Sequence, residues 1–525
     1  MKPREQAAAQ VLLTDFGTAT RDLGVQLIAH GTQTLQALQT ASTHSNHTQV
    51  KDAIALLMQH NLLKTSFKIS TNNKTIVQYT ILLDEILARR WFARIVKVTN
   101  DRHGIEGAEL VKETLCWGRV TIAQIVENVA ASSSQDKGTL SKIVDKLKAE
   151  GLLCACERRD WSEEVQTHKQ QLRFKEGYNE SEVSRAAVRR STKRQRVAAD
   201  KSDPDPRSAT YPITVGGNDA GELRWRVNLR AYASFFRHES ISRLVGEKID
   251  GQARQLVETA LSEWGRRPEP TRDDDDIDAG SHVFDEIPNA SDSFTLDEVV
   301  DAVSKNLNWQ GESTRQKVRN YFDIMCNEPL CEMAQELNDR YVLKIENLAN
   351  ALRMTLVEGI VLERFGVDAC RVIRLLLRKH ADGRCEALGQ QHYDLKQLAH
   401  MALLPDREIR PILMRMLRAG IVSLQEVPRS ADHNPRSTTY LWFADLNRAC
   451  AAVEREIFCT ISRLQARFDV EALGTNVGQE AGRLDAADRD AIASFEEAGR
   501  RCDALENALL RLYDTVLTLR VLGTR

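Results

Sequence analysis

Between Pro405 and Phe443 the period of the apolar positions changes, and the change predicts an order of elements. Ile409, Ile412, Leu413, Met416 and Leu417 recur at one-turn spacing, the mark of a helix with one buried stripe. Pro405 suits the first helical position, where a missing N–H costs nothing, and Asp406 places an anion in the first turn. Gly420 suits the left-handed residue that ends such helices. Ile421 to Val427 and Thr438 to Phe443 then read as two strands around a polar loop containing Pro428, Asn434 and Pro435. Upstream, Val372 to Leu377 and Asp394 to Met401 read as two more helices. Helix, helix, helix, strand, wing, strand is the order of a winged helix-turn-helix, whose third helix such folds lay in a DNA major groove.

The same skeleton recurs along the chain. Written as offsets 0, 3, 4, 7, 12 and 13, it is Ile409, Ile412, Leu413, Met416, Ile421 and Val422. Val50, Ala53, Ile54, Leu57, Leu62 and Leu63 repeat it, with Asn61 where the ending Gly would stand. Leu140, Ile143, Val144, Leu147, Leu152 and Leu153 repeat it again, with Gly151 as the stop. Val318, Tyr321, Phe322, Met325, Leu330 and Cys331 form a looser copy. Gly31, Thr34, Leu35 and Leu38 also match Gly118, Thr121, Ile122 and Ile125 in spacing, so that a Gly closes one helix and a Thr caps the next. Repeats of this length are whole small domains with their own cores.

The predicted architecture is mainly α with small β wings: four tandem (extended) winged-helix domains and a C-terminal coiled-coil hairpin. The expected units are 1–92, 93–240, 241–350, 351–446 and 447–525. The second carries a long insert at about 160–220, where hydrophobicity collapses and Arg185, Arg189, Arg190, Lys193, Arg194 and Arg196 gather. That stretch reads as a disordered wing loop, with nuclear import or phosphate binding as the sharper account. The third carries a loop at 266–292 with the run Asp273 to Asp276. It reads as a solvated acidic linker, because it lacks the Gly and spaced ligands of a calcium loop. After Leu446 comes a stripe of Val453, Ile457, Ile461, Leu464 and Phe468, then a heptad seam of Leu505, Leu509, Leu512, Val516 and Leu519. The two helices are expected to pair as a hairpin, and the seam is the expected partner-docking element, separable from the winged helices.

Composition narrows the function. Formal net charge is −2, so nucleic-acid binding has to come from local basic faces. Such faces are expected at Arg407, Arg410 and Arg418 on the opening helix, at Arg429 and Arg436 on its wing, and at Lys142, Lys146 and Lys148 on the corresponding helix of the second unit. The ten cysteines lack zinc-site spacing and read as reduced thiols of a cytosolic or nuclear protein. There is no transmembrane-length apolar stretch, no phosphate-cradling Gly-rich loop, no nucleophile elbow and no paired metal-ligand histidines. No catalytic residue, metal or cofactor is expected. The residues alone read as a binding and scaffolding protein, either a stand-alone winged-helix DNA-binding regulator or a winged-helix protein-interaction scaffold.

The ordered series "LIAHGTQTLQAL", "LMQHNLL", "ELRWRVNLRAYASFFRHESISRLVGEKID", "ERFGVDACRVIRLLL", "SLQEVP" and "TTYLWF" resembles one family across about three quarters of the chain. It is that of the third-largest subunit of nuclear RNA polymerase III, tandem winged-helix proteins related to the alpha subunit of TFIIE. The resemblance implies a non-catalytic subunit that joins two other polymerase III-specific subunits on the clamp of the largest subunit. It further implies recruitment to TFIIIB at promoters of tRNA and 5S genes and help in opening DNA, in the nucleus, with no membrane and no small-molecule substrate. Asp382 to Gln391 and the basic and acidic loops sit where such proteins vary.

Overall fold

In the computed structural model, residues 1–41, 47–69, 75–132, 136–156, 223–265, 291–307, 313–327, 333–337, 340–377, 392–428, 438–480 and 489–523 are described. The basic cluster at 185–196, the acidic run at 273–276, Leu330, Cys331, Asp382 to Gln391, Arg429 and Arg436 lie outside them.

The first unit runs α1 (Pro3–Phe16), α2 (Thr18–His30), β1 (Gln33–Thr34), α3 (Leu35–Ala41), α4 (His47–Gln59), β2 (Leu63–Ile69) and β3 (Thr75–Ile81). Its sheet order is β1-β3-β2, antiparallel, with Leu63 opposite Ile81 and Gln33 opposite Tyr79. The short strand before α3 therefore adds to the wing sheet. α5 (Leu83–Ala88) and a 3-10 turn (Arg89–Trp91) lead into α6 (Phe92–Trp117), which kinks at Gly104, φ 75°. The second unit repeats the plan with β4 (Val120–Thr121), α7 (Ile122–Ser132), α8 (Lys137–Ala149), β5 (Leu153–Cys156) and β6 (Arg224–Val227), in order β4-β6-β5. α9 (Leu229–Lys248) and α10 (Gly251–Trp264) precede a third copy: β7 (Phe294–Thr295), α11 (Leu296–Leu307), α12 (Ser313–Cys326), β8 (Ala334–Leu337) and β9 (Arg340–Leu343), in order β7-β9-β8. α13 (Ile345–Phe365) then leads to α14 (Val367–Leu377), α15 (Leu395–Ala402), α16 (Asp406–Ala419), β10 (Ser423–Val427) and β11 (Thr439–Phe443). Here the closing strand shrinks to an antiparallel bridge between Tyr393 and Trp442. α17 (Leu446–Glu480) and α18 (Arg489–Val521) end the chain.

The local chemistry follows the repeat. The Thr34 hydroxyl accepts from Ala37 N at 3.3 Å, and Thr121 accepts from Gln124 N at 3.4 Å while the Gln124 amide oxygen accepts from Thr121 N. Thr295 and Glu298 exchange the same pair of bonds. Asn61, Gly151 and Gly420, the stops of the matched helices, all have positive φ.

The helices that join the units carry no break in the apolar pattern. α9 runs through position 240 and α13 through position 350, the expected edges of the second and third units. Each serves two cores at once. Tyr232 and Phe236 of α9 pack in a large cluster with the first and second units, whereas Ile241 and Val245 pack in the third unit's own cluster. Ile345 and Leu348 of α13 belong to the third unit, and Val357 and Val361 to the large cluster. A linker with apolar residues on both sides looks continuous in sequence.

The C-terminal helices are antiparallel, since Glu454 meets Arg520 and Glu471 lies 3.6 Å from Arg501. Their base is embedded in the molecule: α17 packs on α1 and α13, and α18 on α9 and the 3-10 turn. Leu509, Val516 and Leu519 are buried and Leu505 and Leu512 half-buried. The seam expected to meet a partner is thus largely filled from within the chain, because α18 needs cover along its whole apolar side. Nor is the hairpin a separable appendage, since its residues and those of the first, second and fourth units share one core.

Candidate nucleic-acid interface

α16 starts after Pro405, which caps it in extended conformation, and Ile409, Leu413 and Met416 are fully buried beneath it. Gly420, at φ 79°, gives its N–H to Leu417 and Met416 and turns the chain into the wing. α15 is held in front by a capping box, with the Gln397 side chain accepting from Asp394 N at 3.0 Å. Tyr393 and Trp442 exchange backbone hydrogen bonds at 2.9 and 2.8 Å, which fixes the start of α15 against the wing. The outward side of α16 carries Arg407, Arg410, Pro411, Met414 and Arg418, all exposed. Their spacing of three or four residues puts them on one face opposite the core stripe. The turn before α16 presents Leu403, left-handed at φ 53° and 83% exposed. Long cations around a small apolar centre on a rigid helix are equipped for phosphate and groove contact.

The second expected basic face is weaker than its sequence. Leu140, Val144 and Leu147 anchor α8, leaving Lys142 and Lys146 exposed. Lys148, by contrast, is half-buried, with its ammonium 3.0 Å from the Asp145 carboxylate and 5.0 Å above the Trp225 ring. It is occupied inside the unit, because it sits one turn beyond Val144 and leans toward β6. Arg407, Arg410 and Arg418 are brought together on one helix, while Lys142 and Lys146 belong to another unit. Sequence patterning misses Arg364, Arg415 and Arg455, which crowd the far end of α16 from three different helices.

Among the described residues no group of three or more His, Cys, Asp or Glu side chains is placed to hold a metal ion. No described helix is long and apolar enough to cross a membrane. A surface hollow lined by His392, Tyr393, Lys396, Gln397, His400 and Met401 lies along α15, beside the wing bridge.

Repeated three-helix units with a short wing, joined by shared helices and carrying cations on a third helix, define a tandem winged-helix protein. Three family profiles match in chain order. Residues 8–65 match the RNA polymerase III subunit RPC82 helix-turn-helix domain, 120–352 the RNA polymerase III subunit RPC82, and 357–444 the POLR3C C-terminal winged-helix domain. The chain is 23% identical over 527 residues to the human DNA-directed RNA polymerase III subunit RPC3, covering 97% of this chain and 90% of that one. It is 25% identical to the zebrafish RPC3 over 89% of this chain and 84% of the other, and 39% identical to that of Ajellomyces capsulatus over 30% and 23%. The chain belongs to the RPC3/RPC82 family of RNA polymerase III subunits, whose members are non-catalytic.

Proposed function

We propose that this chain works outside the catalytic centre of RNA polymerase III, in a subcomplex with two other polymerase-specific subunits on the clamp. In that place it helps bring the enzyme to TFIIIB-bound promoters of tRNA, 5S and other small-RNA genes and helps open the DNA, in the nucleus. The observation that supports this reading most is the ordered match of three family profiles from residue 8 to residue 444. The exposed face of Arg407, Arg410 and Arg418 adds a surface for DNA, with Lys142 and Lys146 as a second contact. Repeated winged helices without catalytic machinery suit a part that positions DNA and protein and leaves the chemistry to another subunit.

The test is affinity purification of the tagged full-length chain with identification of what co-purifies. The large polymerase III subunits are expected in the eluate, together with two smaller polymerase-specific chains. An eluate without the large subunits overturns the reading.

A further inference from the structure

At the C-terminal end of α16 three helices bring arginines to one place. Arg364, from the last turn of α13, and Arg415, from α16, both lie against the Phe365 ring, at 5.6 and 5.3 Å from its centre. An Nη of Arg415 also donates to the Arg364 carbonyl oxygen at 3.3 Å, which ties the Arg415 side chain to the end of α13. Arg418 is a helical neighbour of Arg415. Arg455 of α17 reaches the same corner, because a Cβ added to Gly420 would meet its Nη2 at 3.7 Å. All four are exposed. Glu456, 3.4 Å from Arg364, is the single carboxylate paired with any of them among the described residues.

Like charges gathered this closely repel one another, so the cluster raises the energy of the free chain unless an anion enters. The guanidinium fork is suited to phosphate, and stacking on Phe365 fixes two forks in advance. The other end of α16 differs, for there Asp406 and Glu408 flank Arg407. The positive charge of this helix is therefore weighted toward its C-terminal end and continues onto α17.

We propose that the corner formed by Arg364, Arg415, Arg418 and Arg455 is a phosphate-binding station that carries a nucleic-acid backbone from the outer face of α16 onto α17. The proposal rests on α16 as a nucleic-acid face, and it places the strongest contact at the end of that helix away from its N-terminus. A backbone suits the corner better than an acidic protein segment does. Its cations are spread over three helices and exposed, whereas protein hot spots centre on a buried aromatic or arginine anchor in a closed pocket.

The experiment measures binding of a fluorescent DNA duplex to the full-length chain over a range of salt. Three proteins are compared: the unaltered chain, the corner variant Arg364→Gln/Arg415→Gln/Arg455→Gln, and the face variant Arg407→Gln/Arg410→Gln. Because the altered side chains are exposed, circular dichroism is expected to be unchanged. The corner variant is expected to lower the magnitude of the log–log salt slope by about 0.9 per lost phosphate contact, up to about 2.7. Lysine at the same three positions should restore most of that slope, since charge is kept. If the face variant binds like the unaltered chain while the corner variant is weakened, phosphate is held at the corner alone and the path from the outer face of α16 is overturned. A corner variant with an unchanged slope overturns the station. Should that variant keep its slope yet lose the co-purifying polymerase subunits, the corner is a protein contact and the proposal is equally overturned.

Discussion

His60 shows how one side chain reports the joint between the first two units. It follows α4, with its ring 4.9 Å from Phe16, and its Nδ1 is enclosed without a partner. Beside it the Gln59 side chain donates to the Trp117 carbonyl at 3.0 Å, and Arg119 donates to the Asn61 side chain at 2.6 Å. Gly118, at φ 79°, lets the backbones meet, since a Cβ there would lie 2.4 Å from the Gln59 carbonyl oxygen. Burial, helped by the Arg89 charge, pushes the His60 pKa down to about 4. The unfolded chain therefore takes up a proton as pH falls through about 6.5, whereas the folded chain refuses it until about 4. Stability from this group is complete above pH 6.5 and is lost on acidification between those values, at up to about 1.4 kcal/mol per pH unit. His60→Gln should remove that part of the acid dependence, which urea titrations of both proteins at pH 7, 6 and 5 would reveal. Equal pH dependence in the two would mean that His60 accepts its proton when folded. The helix end and its left-handed Asn61 were readable in the repeat. The packing of His60 on Phe16 was not, because that pair is distant in sequence and neither residue lies on the repeated skeleton.

Among the elements, α5 gains its importance from a contact that no local pattern announces. Its Asp84 side chain is 5% exposed and accepts from Arg4 of α1 at 2.5 Å and from Arg520 of α18, which also binds Glu454 of α17. Three helices thus meet at one carboxylate, α17 joins them through Arg520, and the partners Asp84 and Arg520 are 436 residues apart. The heptad seam of α18 was legible as a helix face seeking cover, and the skeleton of α16 gave Ile409, Leu413 and Met416 correctly as core. What covers α18, and where a joining helix passes from one unit to the next, depend on pairing across the whole chain. Periodicity within a window cannot show either. The same limit hid the arginine corner, whose members come from three elements, and left Lys148 looking free. Asp84→Ala should cost about 1.5–3 kcal/mol, since it removes the carboxylate that holds half-buried Arg4 and one of the two that Arg520 binds. Asp84→Leu combined with Arg520→Met should recover part of that loss by replacing the pair with apolar contact. Thermal melting of the single and double variants measures both effects, and a single variant as stable as the parent would show that the knot contributes nothing.

At the scale of the whole molecule the described residues form two cores. One is continuous through the first, second and fourth units and the base of the hairpin; the other lies between Ile241 and Leu348 and serves the third unit alone. Residues in one close-packed core lose their neighbours together, so damage anywhere in the large core spreads to all the elements that share it. Damage in the small core is confined by α9 and α13, which keep their other faces packed. Phe322, fully buried and stacked 4.7 Å from Tyr341, is central to the small core. Phe322→Ala should remove about 3–5 kcal/mol from the third unit. In calorimetry it should split off an early transition and leave the main one near its original temperature. Leu413→Asp, which buries an unpaired carboxylate in the large core, should instead lower the main transition and carry α1, α17 and α18 with it. Hydrogen exchange on the same two proteins would locate each loss, with α11 and α12 opening in the first and α1, α16 and α18 in the second. A single transition moved equally by both substitutions would mean that α9 and α13 transmit the damage and that the two cores melt as one.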